Sequence, residues 1–180
     1  MQQPSRSHVV EVNGVRFQTE IQSVISVPIL PWTKSPVRLG IYVTNQTATP
    51  LYFRRLDSLE LTLIDDVGKA IEIESDILRL RVKGTPYYTV DSGKREFLSW
   101  ASFIYREFCQ LQLKIDNEAG GFYYFNYLKP GKYKLQIDYR GSGKLPELSP
   151  EKQASGKVWT GIVTIPFVEF CLGSYTSKSR

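Results

Sequence analysis

The sequence is poor in the residues that most enzyme mechanisms need. It contains one histidine, His8, and two cysteines, Cys109 and Cys171, among 180 residues. His8 stands near the start of the chain, where an imidazole lacks the packed surroundings that hold a catalytic tautomer in place. The chain has no C-x-x-C pair, no H-E-x-x-H segment and no glycine-rich phosphate loop. We therefore expect a protein that is not an enzyme, with no catalytic residue, metal or other cofactor.

Long apolar segments are also missing. No uncharged apolar run approaches the roughly 18 residues that span a bilayer, and no apolar core follows the basic residue Arg6 as a signal peptide requires. We therefore expect a cytoplasmic protein without membrane insertion. Both cysteines lie in apolar, strand-like stretches, so we expect two buried free thiols rather than a disulfide.

Acidic residues cluster at two turn-like positions, Asp65-Asp66 and Asp116 with Glu118. Such oxygen ligands could gather a calcium ion in a loop. Aspartate is also common in turns because its side chain hydrogen-bonds its own backbone. The turn interpretation is preferred, and no metal site is predicted.

The composition is that of an ordinary globular protein. Hydrophobic residues make up 42% of the chain and charged residues 23%, while aromatic residues reach 13%. Aromatic and β-branched residues suit the half-buried surface of a sheet, so the composition favours β structure. We expect one folded domain, residues 8–172, between flexible polar tails at residues 1–7 and 173–180.

Alternation of apolar and polar residues predicts several strands, each with one buried face. The apolar members are Val37, Leu39, Ile41 and Val43; Leu59, Leu61 and Leu63; Leu111, Leu113 and Ile115; and Tyr133, Leu135, Ile137 and Tyr139. Between Phe97 and Phe108 the apolar spacing fits a helix as well as a strand, and we expect a strand plus a short helical turn there.

One short motif narrows the fold class. The segment Leu128-Lys129-Pro130-Gly131-Lys132-Tyr133 matches the L-x-P-G-x-Y pattern of a tyrosine corner, in which the tyrosine hydroxyl turns back to a backbone group. We predict an all-β protein, namely an immunoglobulin-like antiparallel β-sandwich of about eight or nine strands. The predicted structural residues are Pro130, Gly131, Tyr133 and Trp159.

From Val37 to Tyr139 the order of features resembles the intracellular proteinase inhibitors of the BsuPI type. The similar segments are Asn45-Gln46-Thr47 with Pro50 and Phe53, Leu61 to Asp65 with Gly68-Lys69, and Pro130 to Tyr133. The tyrosine-corner pattern is also similar to that of fibronectin-like domains. The resemblance implies a sandwich fold and, as an alternative function, inhibition of an intracellular protease by a loop inserted into its active site.

A basic surface is predicted in the segment that follows Ile77. Arg79, Arg81 and Lys83 alternate with apolar residues, so the three basic side chains share the face opposite the core. They could bind phosphate or an acidic protein patch. Alternating basic residues also protect an exposed sheet edge from aggregation, which is the competing interpretation. All three are candidate partner-binding residues.

The aromatic run from Phe122 to Tyr127 must present large rings on both faces of a strand. The outward rings either pack under the loop from Gly141 to Lys157 or form an exposed aromatic platform. Tyr123, Phe125 and Tyr127 are the candidate partner-binding residues of this run, and an exposed ring of Phe122 or Tyr124 beside basic residues would serve equally.

The favoured function is a non-enzymatic interaction module whose partner is another protein. The formal net charge of +5 favours acidic partners but is modest for a dedicated nucleic-acid-binding protein. The alternatives are the protease inhibitor and a domain that binds carbohydrate or a polyanion such as nucleic acid. Such a domain would use the tyrosine run or one of the tryptophans Trp32, Trp100 and Trp159.

Overall fold

The computed structural model describes residues 8–54, 59–76, 87–116, 121–141 and 155–173. Fifteen strands carry the fold in these ranges. They are β1 (Val10–Val12), β2 (Val15–Ile21), β3 (Val24–Ser26), β4 (Lys34–Asn45), β5 (Leu51–Arg54), β6 (Leu59–Asp65), β7 (Ala70–Ile71), β8 (Ile73–Ser75), β9 (Tyr87–Val90), β10 (Arg95–Glu107), β11 (Gln110–Asp116), β12 (Phe122–Leu128), β13 (Gly131–Gly141), β14 (Lys157–Val158) and β15 (Gly161–Gly173). The all-β prediction is confirmed, although many of the strands are short pieces and the described set exceeds the expected eight or nine.

The strands form three sheets. The largest has the order β1-β2-β4-β10-β11-β12-β8, the second has the order β3-β15-β13-β6-β7, and the third has the order β14-β5-β9. Pairing is antiparallel except between β15 and β3 and between β14 and β5. The architecture is therefore sandwich-like, with several mainly antiparallel sheets.

The alternating segments bury their apolar residues as predicted. In β4 the four predicted core residues from Val37 to Val43 are all buried, and the apolar residues of β6, β11 and β13 behave in the same way. Their side chains join one hydrophobic core to which all three sheets contribute. Burial of this apolar surface is the main free-energy gain that holds the sheets together.

Four aromatic rings meet where the three sheets converge. Phe17 comes from β2, Phe53 from β5 and Tyr139 from β13, while Trp159 follows β14. Every pair of these rings has a centroid separation between 5.0 and 6.3 Å. Trp159, a predicted structural residue, is buried in this cluster. Offset and edge-on ring pairs of this kind stabilise a core beyond the area that they bury.

The strand β10 corrects one prediction. Residues from Arg95 to Glu107 form one continuous strand, so the short helical turn expected before Phe108 is wrong. Leu98, Trp100 and Ile104 are buried on one face, whereas Ala101 is exposed on the other. Antiparallel pairing with β4 and β11 satisfies the backbone of this segment, and this tertiary pairing overrides the helical spacing of its apolar residues.

The two cysteines are free but are not both buried. Cys109 is exposed in the turn after β10, and Cys171 is half-buried in β15. The expectation of two buried thiols is therefore wrong. Phe108 has a left-handed backbone conformation with φ 52°, which reverses the chain and places Cys109 at the surface rather than inside a strand.

In the part of the chain that the structure describes, no helix is long and apolar enough to cross a bilayer.

Candidate functional site

The seven-stranded sheet presents aromatic and basic side chains on the face that points away from the core. The strand register places Phe103 beside Lys114, and Lys114 beside Tyr124, on three neighbouring strands. Successive residues of a strand point to opposite faces, and their neighbours Ile104 and Leu113 are buried in the core. Phe103, Lys114 and Tyr124 therefore share the outer face.

Lys114 is the centre of this arrangement. Its ammonium nitrogen lies 4.7 Å from the ring centroid of Tyr105 and 4.9 Å from that of Tyr124. The ammonium nitrogen of a second lysine, Lys34, lies 5.1 Å from the ring centroid of Phe103. The electron-rich ring faces attract the cations, so the two kinds of side chain hold each other in place.

Tyr124 is also anchored by Asp76. The Tyr124 hydroxyl donates a hydrogen bond to the Asp76 carboxylate, and the backbone N–H of Phe122 donates to the same group at 2.5 Å. The bond from Tyr124 lowers the pKa of Asp76, and the nearby charge of Lys114 adds to this effect. Burial, together with the hydrogen bond to Asp76, raises the pKa of Tyr124 to about 12. Tyr124 is therefore a neutral, oriented phenol at neutral pH.

A second aromatic and basic group lies further along the same face. The Arg95 guanidinium carbon lies 3.9 Å from the ring centroid of Tyr42, and that of Arg38 lies 4.8 Å from the ring of Phe97. The ring centroids of Tyr42 and Phe97 are 4.9 Å apart. Arg38 also donates a hydrogen bond to the Tyr42 hydroxyl at 3.0 Å.

Small residues lie within this second group. On the same face, the pair of Gly40 and Ser99 stands between the pair of Tyr42 and Phe97 and the pair of Arg38 and Ala101. The ring of Phe97 lies over Gly40, where a side chain would collide with it. We call the whole surface the outer-face patch. Its members are Lys34, Arg38, Tyr42, Arg95, Phe97, Phe103, Tyr105, Lys114, Phe122 and Tyr124.

The predicted aromatic run divides between the two faces of β12. Phe125 is fully buried opposite Leu113, so its place among the partner-binding residues has to be corrected. Tyr123 packs against the core as well. Phe122 and Tyr124, the alternatives within the run, are the rings on the outer face.

Tyr127 is exposed for a different reason. Leu111 pairs with Leu128 and Leu113 pairs with Phe125, so two residues of β12 stand opposite one residue of β11. This irregularity is a β-bulge, and Tyr127 adopts a left-handed conformation in it with φ 58°. Its side chain is 71% exposed as a result.

Some predicted site residues lie outside the described ranges. The basic residues Arg79, Arg81 and Lys83 are among them, as is most of the loop from Gly141 to Lys157. Of the tryptophans considered for ligand binding, Trp100 and Trp159 are buried and only Trp32 is exposed.

No sequence pattern identified the basic members of the patch or its aromatic residues Phe103 and Tyr105. Phe103 and Tyr105 occupy the polar positions of an alternating strand, and an aromatic residue at a solvent-facing position is a usable signal. This signal can be used only when Arg95–Glu107 is known to form one continuous strand. Lys114 gave no local signal, because its aromatic neighbours come from other strands.

The described ranges hold no group of three or more histidine, cysteine, aspartate or glutamate side chains placed to bind a metal ion. Comparisons with protein-family models, with curated proteins and with solved structures gave no match. The resemblances to BsuPI inhibitors and to immunoglobulin-like domains therefore stay predictions. Fold and patch together define an all-β, sandwich-like protein with an aromatic and basic sheet surface.

Proposed function

We propose that this protein is a non-enzymatic interaction module that binds another protein through the outer-face patch. The observation that carries the proposal is the position of Lys114 between Tyr105 and Tyr124 on the solvent side of the largest sheet. Aromatic and arginine side chains are enriched in interface cores because rigid rings bury much area at small entropic cost. A sheet surface that carries such residues in fixed contacts is already organised for binding.

The geometry favours a protein over a nucleic acid or a sugar. Bases and sugars bind aromatic platforms by stacking on open ring faces. A cationic side chain of the protein itself already lies over one face of each of the rings of Tyr42, Tyr105 and Tyr124. Arg38 pairs with Glu20 at 3.7 Å and Arg95 donates to Gln18 at 2.9 Å, and each guanidinium group has further N–H donors that suit carboxylates. The expected partner surface therefore has acidic residues around an apolar centre.

The finer fold assignment belongs to the same proposal. An immunoglobulin-like sandwich with a tyrosine corner from Leu128 to Tyr133 is supported by the hydrogen bonds between the Tyr133 hydroxyl and the backbone of Lys129. Action in the cytoplasm is supported by the free state of Cys109 and Cys171, which suits a reducing compartment.

The test uses a charge reversal in the patch and a matched one elsewhere. Lys114→Glu removes the cation from between the two rings, whereas Lys134→Glu makes the same change on a strand of the five-stranded sheet, where Lys134 pairs with Glu169. Quantitative affinity capture from the native cell, after cross-linking, compares both variants with the wild type. We expect a partner retained by the wild type and by Lys134→Glu but reduced about tenfold or more by Lys114→Glu. Capture of the same proteins at the same yield by both variants would contradict the proposal.

The alternative functions predict other outcomes. A protease inhibitor blocks intracellular serine proteases in a panel assay, and Lys114→Glu leaves that inhibition unchanged. A polyanion-binding domain is retained on a polyanion column with a steep salt dependence. Either result without loss of capture by Lys114→Glu would replace the proposed function.

A further inference from the structure

One end of the molecule carries a cluster of exposed apolar side chains. Ile29, Leu30, Trp32 and Phe108 are 86%, 64%, 54% and 66% exposed. The first three belong to the loop between β3 and β4, and Phe108 lies in the turn between β10 and β11. The rings of Trp32 and Phe108 meet edge to face with centroids 4.7 Å apart, so the loop and the turn form one surface. We call these four residues the apolar tip.

Hydrogen bonds hold the apolar tip in a defined position. The backbone N–H of Trp32 donates to the Arg106 carbonyl at 2.7 Å, and the backbone N–H of Arg106 donates to the Thr33 carbonyl at 3.0 Å. These two bonds extend the pairing of β4 with β10. The Arg106 side chain donates to the Pro28 carbonyl at 2.5 Å, and the Thr33 hydroxyl donates to the Leu30 carbonyl at 2.6 Å. These hydrogen bonds therefore fix the backbone that carries the exposed rings.

The backbone conformation of the tip is unusual. Trp32 has φ 61° and Phe108 has φ 52°, a left-handed conformation that is unfavourable for bulky side chains. Tyr127, with φ 58°, lies at the same end of the sheet because its neighbour Leu128 pairs with Leu111, close after the Phe108 turn. Unfavourable conformations of this kind persist where the fold enforces them, and they concentrate at functional sites.

The charges around the apolar tip are mainly positive. The segments 27–34, 106–110 and 127–132 meet at this end of the molecule. Their basic residues are Lys34, Arg106, Lys129 and Lys132, and their acidic residue is Glu107. The turn after β6 adds Lys69, Asp65 and Asp66, because Asp65 pairs with Tyr133 and both aspartates act on the Tyr133 hydroxyl beside Lys129. An apolar cluster beside an excess of cations suits a surface that is apolar inside and negative at its boundary.

We propose that this end of the molecule docks on an anionic lipid bilayer, with the apolar tip in the boundary between headgroups and acyl chains. Aromatic and aliphatic side chains enter that boundary readily, and basic residues beside them pair with anionic headgroups. A protein partner or a second copy is a poorer fit, because a stable complex buries about 800 Å² on each side and the four exposed side chains of the apolar tip offer less. Docking at the surface needs no membrane-spanning segment, and the proposal does not depend on the outer-face patch.

The test is co-sedimentation of the full chain with vesicles of phosphatidylglycerol and phosphatidylcholine in equal parts, and with vesicles of phosphatidylcholine alone. We expect binding to the anionic vesicles, reduced about tenfold or more by Phe108→Ser and by Trp32→Ser. The matched control is Ile162→Ser, because Ile162 is 64% exposed at the opposite end of the β13 and β15 ladder and should bind as the wild type does. Because Trp100 and Trp159 are buried, a blue shift of tryptophan emission on binding, absent in Trp32→Ser, reports entry of Trp32 into the lipid.

Several results would overturn the proposal. They are no binding of the wild type to the anionic vesicles, binding that Phe108→Ser and Trp32→Ser leave unchanged, and equal loss in Ile162→Ser. A dimer in sedimentation velocity that Phe108→Ser converts to a monomer would identify a second copy as the occupant instead. Unfolding midpoints of all three variants, expected to match the wild type because the changed side chains are exposed, exclude misfolding as the cause.

Discussion

The Tyr133 hydroxyl accepts a hydrogen bond from the Lys129 backbone N–H at 3.0 Å and donates one to the Lys129 carbonyl at 2.9 Å. One side chain thereby satisfies both backbone groups of a residue in the loop where the chain passes from β12 to β13. These strands belong to different sheets, so the contact holds a connection between the two largest sheets. The ring of Tyr133 also stacks on Phe170 with centroids 5.7 Å apart.

Replacing Tyr133 with phenylalanine should lower the free energy of unfolding by about 1 to 2 kcal/mol, because the hydroxyl hydrogen bonds are lost while the ring packing is kept. Urea denaturation measures this change. Tyr127→Phe is the control, since Tyr127 is exposed and its replacement should leave the midpoint unchanged. A Tyr133→Phe midpoint equal to that of the wild type would reject the tyrosine-corner assignment.

The link between Tyr124 and Asp76 should be visible in acid titration. The hydrogen bond from Tyr124 lowers the pKa of Asp76 from its ordinary value of 3.8. The stability that this carboxylate contributes is therefore present above pH 3.8 and is lost as the pH falls through the lowered value. Tyr124→Phe should move the pKa of Asp76 back up, as measured by carboxyl NMR. An unchanged Asp76 titration in that variant would show that the hydrogen bond is not formed in solution.

The same pair predicts an alkaline effect of opposite sense. Burial raises the pKa of Tyr124 from 10.0 to about 12, so the contribution of the neutral phenol to stability is complete below pH 10.0 and is lost as the pH rises through about 12. Burial also raises the pKa of Tyr133, so the late step in the ultraviolet absorbance of the phenolates should shrink by one tyrosine in Tyr124→Phe rather than vanish. A late step of unchanged size in the variant would show that Tyr124 does not contribute to it.

Gly141 should tolerate no side chain. A Cβ atom there would lie 2.5 Å from the Trp159 carbonyl oxygen and would also collide with the indole ring. We expect Gly141→Ala to lower the free energy of unfolding by about 1 to 3 kcal/mol, because Trp159 must move within the four-ring cluster. Gly173→Ala is the matched control, since the nearest atom to its added Cβ is the Cys171 sulfur at 3.9 Å. Equal midpoints for the two variants in thermal unfolding would show that the cluster adapts freely.

The two thiols should react at different rates. Cys109 is exposed and Cys171 is half-buried, so native labelling with a thiol reagent should have a fast phase from Cys109 and a slower phase from Cys171. Cys109→Ser should remove the fast phase, and Cys171→Ser should keep it. A single slow phase from the native wild type would place Cys109 inside the fold after all.

Local alternation was enough to predict the all-β class and the inward residues of β4, β6, β11 and β13. Side chains along a strand point alternately to two faces. A strict pattern such as Val37, Leu39, Ile41 and Val43 therefore identifies both the strand and its buried face. Alternation failed from Phe97 to Phe108, where apolar residues stand on both faces of β10. There the pairing with β4 and β11 decides between strand and helix, and the partners are distant in sequence.

The candidate site depends even more on strand pairing and less on local sequence patterns. The sequence by itself determined that the run from Phe122 to Tyr127 has rings on both faces, because that follows from the two-residue period of any strand. Only the tertiary structure decided that Phe125 faces the core, that a bulge exposes Tyr127, and that Lys114 lies between Tyr105 and Tyr124. Strand order and register place those residues together, and both depend on pairings between segments far apart in the chain, which no local pattern records.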